Sequence, residues 1–168
     1  MTDKLRAAYL IHRVGPDGPQ REANIAATRE WIRFFVDVLP GVAINAPWLA
    51  YVMSLDEATY RERGMADGNT LALADVNGIG IVCGPAHSEG TIADRLHLLN
   101  AGRGVLDVTG FGLVHQPSLT DGVREFIQGG VRDLWLWASR DREHGAKRGP
   151  LLVVNYDHRE PTWRAEAP

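Results

Sequence analysis

Hydrophobic and polar positions change period several times along the chain. Residues 6–14, RAAYLIHRV, are a short apolar run that turns polar and meets GPDGP, which predicts a first strand and its exit loop. From Gln20 to Leu39 the apolar positions Ile25, Trp31, Ile32, Phe34, Phe35 and Val38 fit a helix that Pro40-Gly41 ends, and VAIN, 42–45, predicts a second strand. The stretch from Ala46 to Gly78 has Ser54 or Asp56 as an N-cap and a helical pattern broken around Gly64 and Gly68, which predicts one or two helices with a kink. GIGIVCG, 78–84, is the strongest strand signal, and its glycines point to a close approach to the backbone. Residues 91–102 predict a helix stopped by Gly102, and GVLDVTG a fourth strand. Then 118–143 reads as a helix interrupted at Gly129-Gly130, LLVVNYD as a fifth strand, and the tail HREPTWRAEAP as irregular.

Strands alternating with helices predict an α/β fold: a doubly wound, Rossmann-like (flavodoxin-like), mostly parallel five-stranded sheet in three layers, with strand order near 2-1-3-4-5. In such a sheet ligands bind beyond the carboxyl ends of the strands, which puts 12–21 and 84–94 on one rim.

Composition narrows the class. A chain of 168 residues, 45% hydrophobic and 23% charged, predicts one globular domain. No apolar run is long enough to span a membrane, and MTDKLRAAYL lacks the apolar core of a secretory signal, so a cytoplasmic protein without membrane contact is expected. Cys83 inside GIGIVC fits a buried thiol in a reducing compartment. With a net charge of −3 and scattered basic residues, general nucleic-acid binding is not expected, while a small anionic ligand fits. The histidines (His12, His87, His97, His115, His144, His158) have no metal-ligand spacing, so neither a metal nor another cofactor is expected.

The chemistry concentrates in GPAHSEGTIADRLHLLNAG, 84–102. AHSEG lies one residue from the G-x-S-x-G nucleophile elbow of serine hydrolases, with Asp107, Asp133, His144 or His158 as conceivable triad partners. Yet Pro85, Ala86 and His87 separate Ser88 from its strand, and Ala86 replaces the first glycine, which leaves the elbow the weaker reading. Gly78, Gly80 and Gly84 lack the dinucleotide-binding spacing. Asp94 has two readings. T-I-A-D fits a capping box; alternatively, a carboxylate kept ionised in the first turns of a helix is a nucleophile for an electrophilic carbon.

S-E-G-T-I-A-D, 88–94, resembles the S/D-x-G-T/M-x-x-E signature of the nucleoside 2-deoxyribosyltransferase-like superfamily, whose final acid is the nucleophile. Tyr9-Leu10 resembles that family's first strand, Asn24-Ile25 the opening of its first helix, and Pro47-Trp48-Leu49 its proline after strand two. R-E-R-G-M-A-D-G is similar to its segment before strand three, and the resemblance covers 6–110. Asp94 stands where the family carries Glu, with a reach shorter by about 1.5 Å, one C–C bond; His12-Arg13 stands where it often has Gly-Pro.

The resemblance implies a nucleoside or nucleotide substrate whose N-glycosidic bond is cleaved, by an N-glycosidase or a 2-deoxyribosyltransferase, with Asp94 attacking the anomeric carbon. It implies that Asp67 contacts or protonates the departing base, against a plain D-G turn, and that Tyr9 orients Asp94, against a core tyrosine. Ser88 and the backbone at Gly90 are expected to bind sugar hydroxyls or a 5′-phosphate at the helix start, with His12, Arg13 and Arg21 as further ligand contacts; Ser88 as an N-cap and surface arginines are the alternatives. A homo-oligomer, dimer or larger, is implied, and Trp135 and Trp137 close either the core or a subunit interface. A non-catalytic nucleotide-binding or sensing domain of the same fold is the other functional reading.

Overall fold

The computed structural model describes residues 6–56, 58, 59, 78–84, 86–111, 121–143, 145, 147–156 and 161–166. In chain order these form β1 (Arg6–Ile11), α1 (Pro19–Val38), β2 (Val42–Asn45), α2 (Pro47–Ser54), β3 (Gly78–Val82), α3 (Glu89–Asn100), β4 (Val105–Asp107), a 3-10 turn (Thr109–Phe111), α4 (Asp121–Glu143), β5 (Leu151–Tyr156) and β6 (Pro161–Glu166). One six-stranded sheet runs in the order β2-β1-β3-β4-β5-β6, parallel through β5, with β6 antiparallel at the edge. This is a doubly wound, Rossmann-like three-layer fold. No helix of the described residues is long and apolar enough to cross a membrane.

Strand alternation sorts the core into two layers. Ala8, Leu10, Ile79, Ile81, Leu106 and Leu152 face one side, packed by Trp31, Phe34 and Phe35 of α1 and by Ile127 and Leu134 of α4. Tyr9, Ile11, Val82, Val105 and Leu151 face the other, under Trp48 and Val52 of α2 and Leu98 and Leu99 of α3. The central strands are buried on both faces, which is why they read as unbroken apolar runs. Gly80 explains the close approach predicted for β3: a Cβ there would stand 2.5 Å from Leu98 Cδ1, so the glycine lets α3 lie directly on the strand.

Three expectations are corrected. The tail is not irregular, because Pro161–Glu166 pairs along the whole of β5. α4 is not interrupted at Gly129-Gly130, because Trp163 of β6, stacked on Phe126 at 4.2 Å and donating its Nε1–H to the Phe126 carbonyl, fills the space above Gly130. A Cβ on Gly130 would lie 2.7 Å from that indole, so the glycine serves packing between α4 and β6. Ser54 ends α2, which starts instead with Pro47 in its first turn. Asp56 does act as a cap, its carboxylate accepting the Thr59 backbone N–H at 2.7 Å. Trp135 and Trp137 are half-buried against the first core layer, while Leu136 between them is 62% exposed.

Candidate active site at the β1/β3 switch point

From β1 the chain crosses to β2, and β3 returns to the other side of β1, so the exits of these neighbours diverge toward opposite faces, the arrangement at which doubly wound sheets form their ligand crevice. Its first lip is His12-Arg13, directly after β1. His12 is only 5% exposed and lies against Gly84 at the exit of β3, where a Cβ would come 2.9 Å from the imidazole Nε2. Gly84 has φ +100°, so both conformation and space demand glycine there. The His12 Nδ1–H donates to the Arg13 carbonyl at 2.7 Å. A carbonyl only accepts, so the proton sits on Nδ1 and Nε2 carries a bare lone pair. Burial holds the His12 pKa below its usual range, so the ring is neutral near pH 7. His12 Nε2 and Arg13 Nε are both buried with no hydrogen-bond partner among the described residues.

The second lip is the turn from β3 into α3. Ser88 is its N-cap: its Oγ accepts from Thr91 N–H at 3.2 Å, and Thr91 Oγ1 accepts from Ser88 N–H at 2.7 Å. Thr91 therefore closes the box on Ser88, and the T-I-A-D capping reading is corrected: Asp94 lies in the second turn, beyond the free N–H groups. The Ser88 hydroxyl bonds only Thr91 among the described residues, with no histidine against it, unlike the serine of an elbow.

Beneath this turn Asp107, at the end of β4 and with 0% exposure, gathers the neighbouring loops. Its Oδ1 accepts from the Thr109 hydroxyl (2.6 Å) and backbone N–H (3.1 Å); its Oδ2 accepts from Arg95 of α3 (2.8 Å) and lies 3.1 Å from His87 Nε2. Because the Thr109 proton points to Asp107, its oxygen can only accept from His87 Nε2, 3.1 Å away. Nε2 thus carries a proton, and Nδ1 is buried without a partner among the described residues. Fully surrounded, Asp107 fixes the β3–α3 turn through His87 and α3 through Arg95. Cys83 is buried beside it, and desolvation, aided by the Asp107 charge, pushes its thiol well above its ordinary pKa, away from nucleophile chemistry.

The sequence-predicted residues distribute as follows. Tyr9 is 1% exposed in the layer under α2 and α3, paired in register with Gly80, the strand residue on which Leu98 sits. Asp94 is half-buried one turn before Leu98, about 6 Å nearer the rim along the helix axis. That is roughly the two-residue rise from Gly80 to Val82, so Asp94 lies near the carboxyl end of β3. Gly90 is exposed in the first turn of α3. Asp67 lies outside the described residues.

Arg21 is buried and holds α2 to the β1–α1 loop, donating to the carbonyls of Val52 (3.3 Å), Leu55 (3.2 Å) and Gly15 (3.4 Å). Arg21 also lies 3.6 Å from Asp17 and, with Asp17, Glu22 and Arg29, lines an open pocket over the first turns of α1. Asn24, singled out by resemblance, is likewise structural, its Nδ2–H donating to the Val14 carbonyl at 2.9 Å.

Sequence reading missed the Asp107–Arg95–His87–Thr109 cluster as a unit. D-x-T at the end of a predicted strand is the one local signal for it, since Thr109 bonds the carboxylate two residues back. Among the described residues no group of three or more His, Cys, Asp or Glu could hold a metal ion. Two imidazole nitrogens and an arginine Nε, unpartnered among the described residues, are buried in the segments that leave β1 and β3, and the helix that follows β3 bears Asp94. No protein-family model, curated protein or solved structure matches the chain.

Proposed function

We propose that this chain cleaves the N-glycosidic bond of a nucleoside or nucleotide in the crevice between β1 and β3, with Asp94 as the nucleophile. The observation that carries the reading is the meeting of the two exits at one rim: His12 lies against Gly84, and the β3 exit leads into the helix bearing Asp94. This is where doubly wound sheets bind nucleotides. The resemblance of 88–94 to the deoxyribosyltransferase-like signature supplies the chemistry.

In the proposed reaction an Asp94 carboxylate oxygen attacks C1′ as the C1′–N bond breaks. The bonding electron pair leaves with the base, which takes a proton, Asp67 being its proposed donor. Attack on the glycosyl ester by water then gives the free sugar; attack by a second base gives a new nucleoside. Both restore the carboxylate. Tyr9, in the layer beneath α3, is proposed to orient Asp94. Ile92 and Leu96, one turn apart on α3 and 46% and 45% exposed, support pairing of two copies.

The test is release of free base from mixed nucleosides and nucleotides, followed chromatographically. Asp94→Asn keeps the size and removes the attacking charge, so release should fall by orders of magnitude with folding intact. Ser88→Ala should instead lower stability by about 0.5–2 kcal/mol, the loss of a cap, and leave most turnover. Full activity in Asp94→Asn would refute the mechanism, and binding without turnover in the parent chain would favour a nucleotide sensor.

A further inference from the structure

We infer that the open pocket between α1 and α2 binds a small dipolar molecule, an ammonium at one end and a carboxylate at the other with an apolar stem between, held by Glu22 and Arg29. The inference goes beyond the catalytic reading and does not rest on it: none of the residues lining this pocket belongs to the lips at His12-Arg13 and 84–94.

The pocket has a volume of about 430 Å3, the size of a small-molecule site. One wall is the outer face of the first turns of α1, and the other is Val52 and Met53 of α2. Four charged side chains line it, two of each sign. Arg21 is buried and committed to the carbonyls of Val52, Leu55 and Gly15, with Asp17 3.6 Å from its Nε. Glu22 and Arg29 differ: both are exposed, and neither side chain has a hydrogen bond or ion pair among the described residues. Seven residues of helix put them on one face, two turns and about 10 Å apart along the axis. Ile25 and Ala26 occupy the turn between them, and Met53, 55% exposed, adds an adaptable apolar wall.

Along the pocket the order is therefore acid, apolar floor, base. An anion drawn to Arg29 also meets the Glu22 charge, and a cation drawn to Glu22 meets that of Arg29. A molecule with both charges at this separation satisfies each without the repulsion, and its stem leaves water on the floor. Each exposed contact has the modest strength of a surface ion pair, so selectivity lies in having both.

The experiment titrates the intact 15N-labelled chain with 8-aminooctanoate, whose extended stem separates its charges by about 10 Å, and with 4-aminobutanoate, octanoate and octylamine, following backbone amide shifts. 8-Aminooctanoate should shift the amides of Ile25, Ala26 and Met53. It should bind about threefold to fivefold more tightly than octanoate or octylamine, the effect of one exposed ion pair, and more tightly than the shorter zwitterion. Glu22→Gln and Arg29→Gln should each lower its affinity by about the same factor with folding intact, both side chains being exposed. Combining Glu22→Arg with Arg29→Glu should restore it, with the ligand reversed. Equal binding of the four compounds, shifts confined to other parts of the chain, unchanged affinity in both single variants, or no recovery in the double reversal would overturn the inference.

Discussion

Replacing Asp107 by Asn tests whether the buried carboxylate organises the rim. The side chain has 0% exposure and accepts three hydrogen bonds, one from Arg95 and two from Thr109, with His87 Nε2 3.1 Å from its Oδ2. An asparagine that keeps its oxygen toward Thr109 must turn its NH2 toward Arg95 and His87, placing donor against donor. Breaking a buried ion pair by removing one partner costs about 3–5 kcal/mol. The Arg95 and His87 side chains, 24% and 31% exposed, can turn partly to water. The expected loss is therefore at the lower end, about 3 kcal/mol. Urea denaturation should report that loss with an unchanged slope, and thermal unfolding should fall by roughly 6–12 °C for a chain this size. In the Arg95→Met background the same substitution should cost at least about 1 kcal/mol less, because the two residues share one interaction. A change within about 0.5 kcal/mol in Asp107→Asn would refute the organising role.

Two further outcomes follow from the packing and the titration of the rim. Gly129→Ala meets only the end of the Arg132 side chain at 3.7 Å and should stabilise α4 by about 0.5–1 kcal/mol, whereas Gly130→Ala drives a methyl into Trp163 at 2.7 Å and should destabilise by about 1–3 kcal/mol; chemical denaturation of both separates them, and equal effects would refute the packing account of β6. His12 has a depressed pKa when folded, so below the ordinary histidine value of about 6.5 the unfolded chain binds the proton first. Its contribution is fully present above that pH and is lost on acidification, with a slope of at most about 1.4 kcal/mol per pH unit; stability measured from pH 8 to 5 should flatten in His12→Asn, and an unchanged profile would refute the assignment.

The strands through β5 and the winding order were legible because each apolar run is bounded by its own turn residues. VAIN appears as β2 with the predicted bounds, and the β1, β3, β4 and β5 runs differ only at their ends. Periodicity and turn chemistry act within a few residues of the chain, so they can be read from it. β6 could not: PTWRAE carries one large apolar residue, and it becomes a strand only because β5 offers an open edge and α4 a glycine beneath Trp163. For the same reason Gly129-Gly130 looked like a break. A glycine lowers local helix propensity, and only the indole across from it reveals why it is there.

The candidate site divides in the same way. The sequence alone determined that His12-Arg13 and 84–94 follow neighbouring strands, since strand order and loop length fix which exits meet. Ser88 as an N-cap was also local. What only the tertiary structure decided is which atoms remain available: the register that sets Ile11 and Asp107 on either side of Val82 brings His87, Arg95 and Thr109 around one carboxylate and seats His12 on Gly84. The physical reason is that a hydrogen bond depends on positions to within a few tenths of an ångström. Residues 87, 95 and 107 acquire such positions only when three strands and a helix have packed.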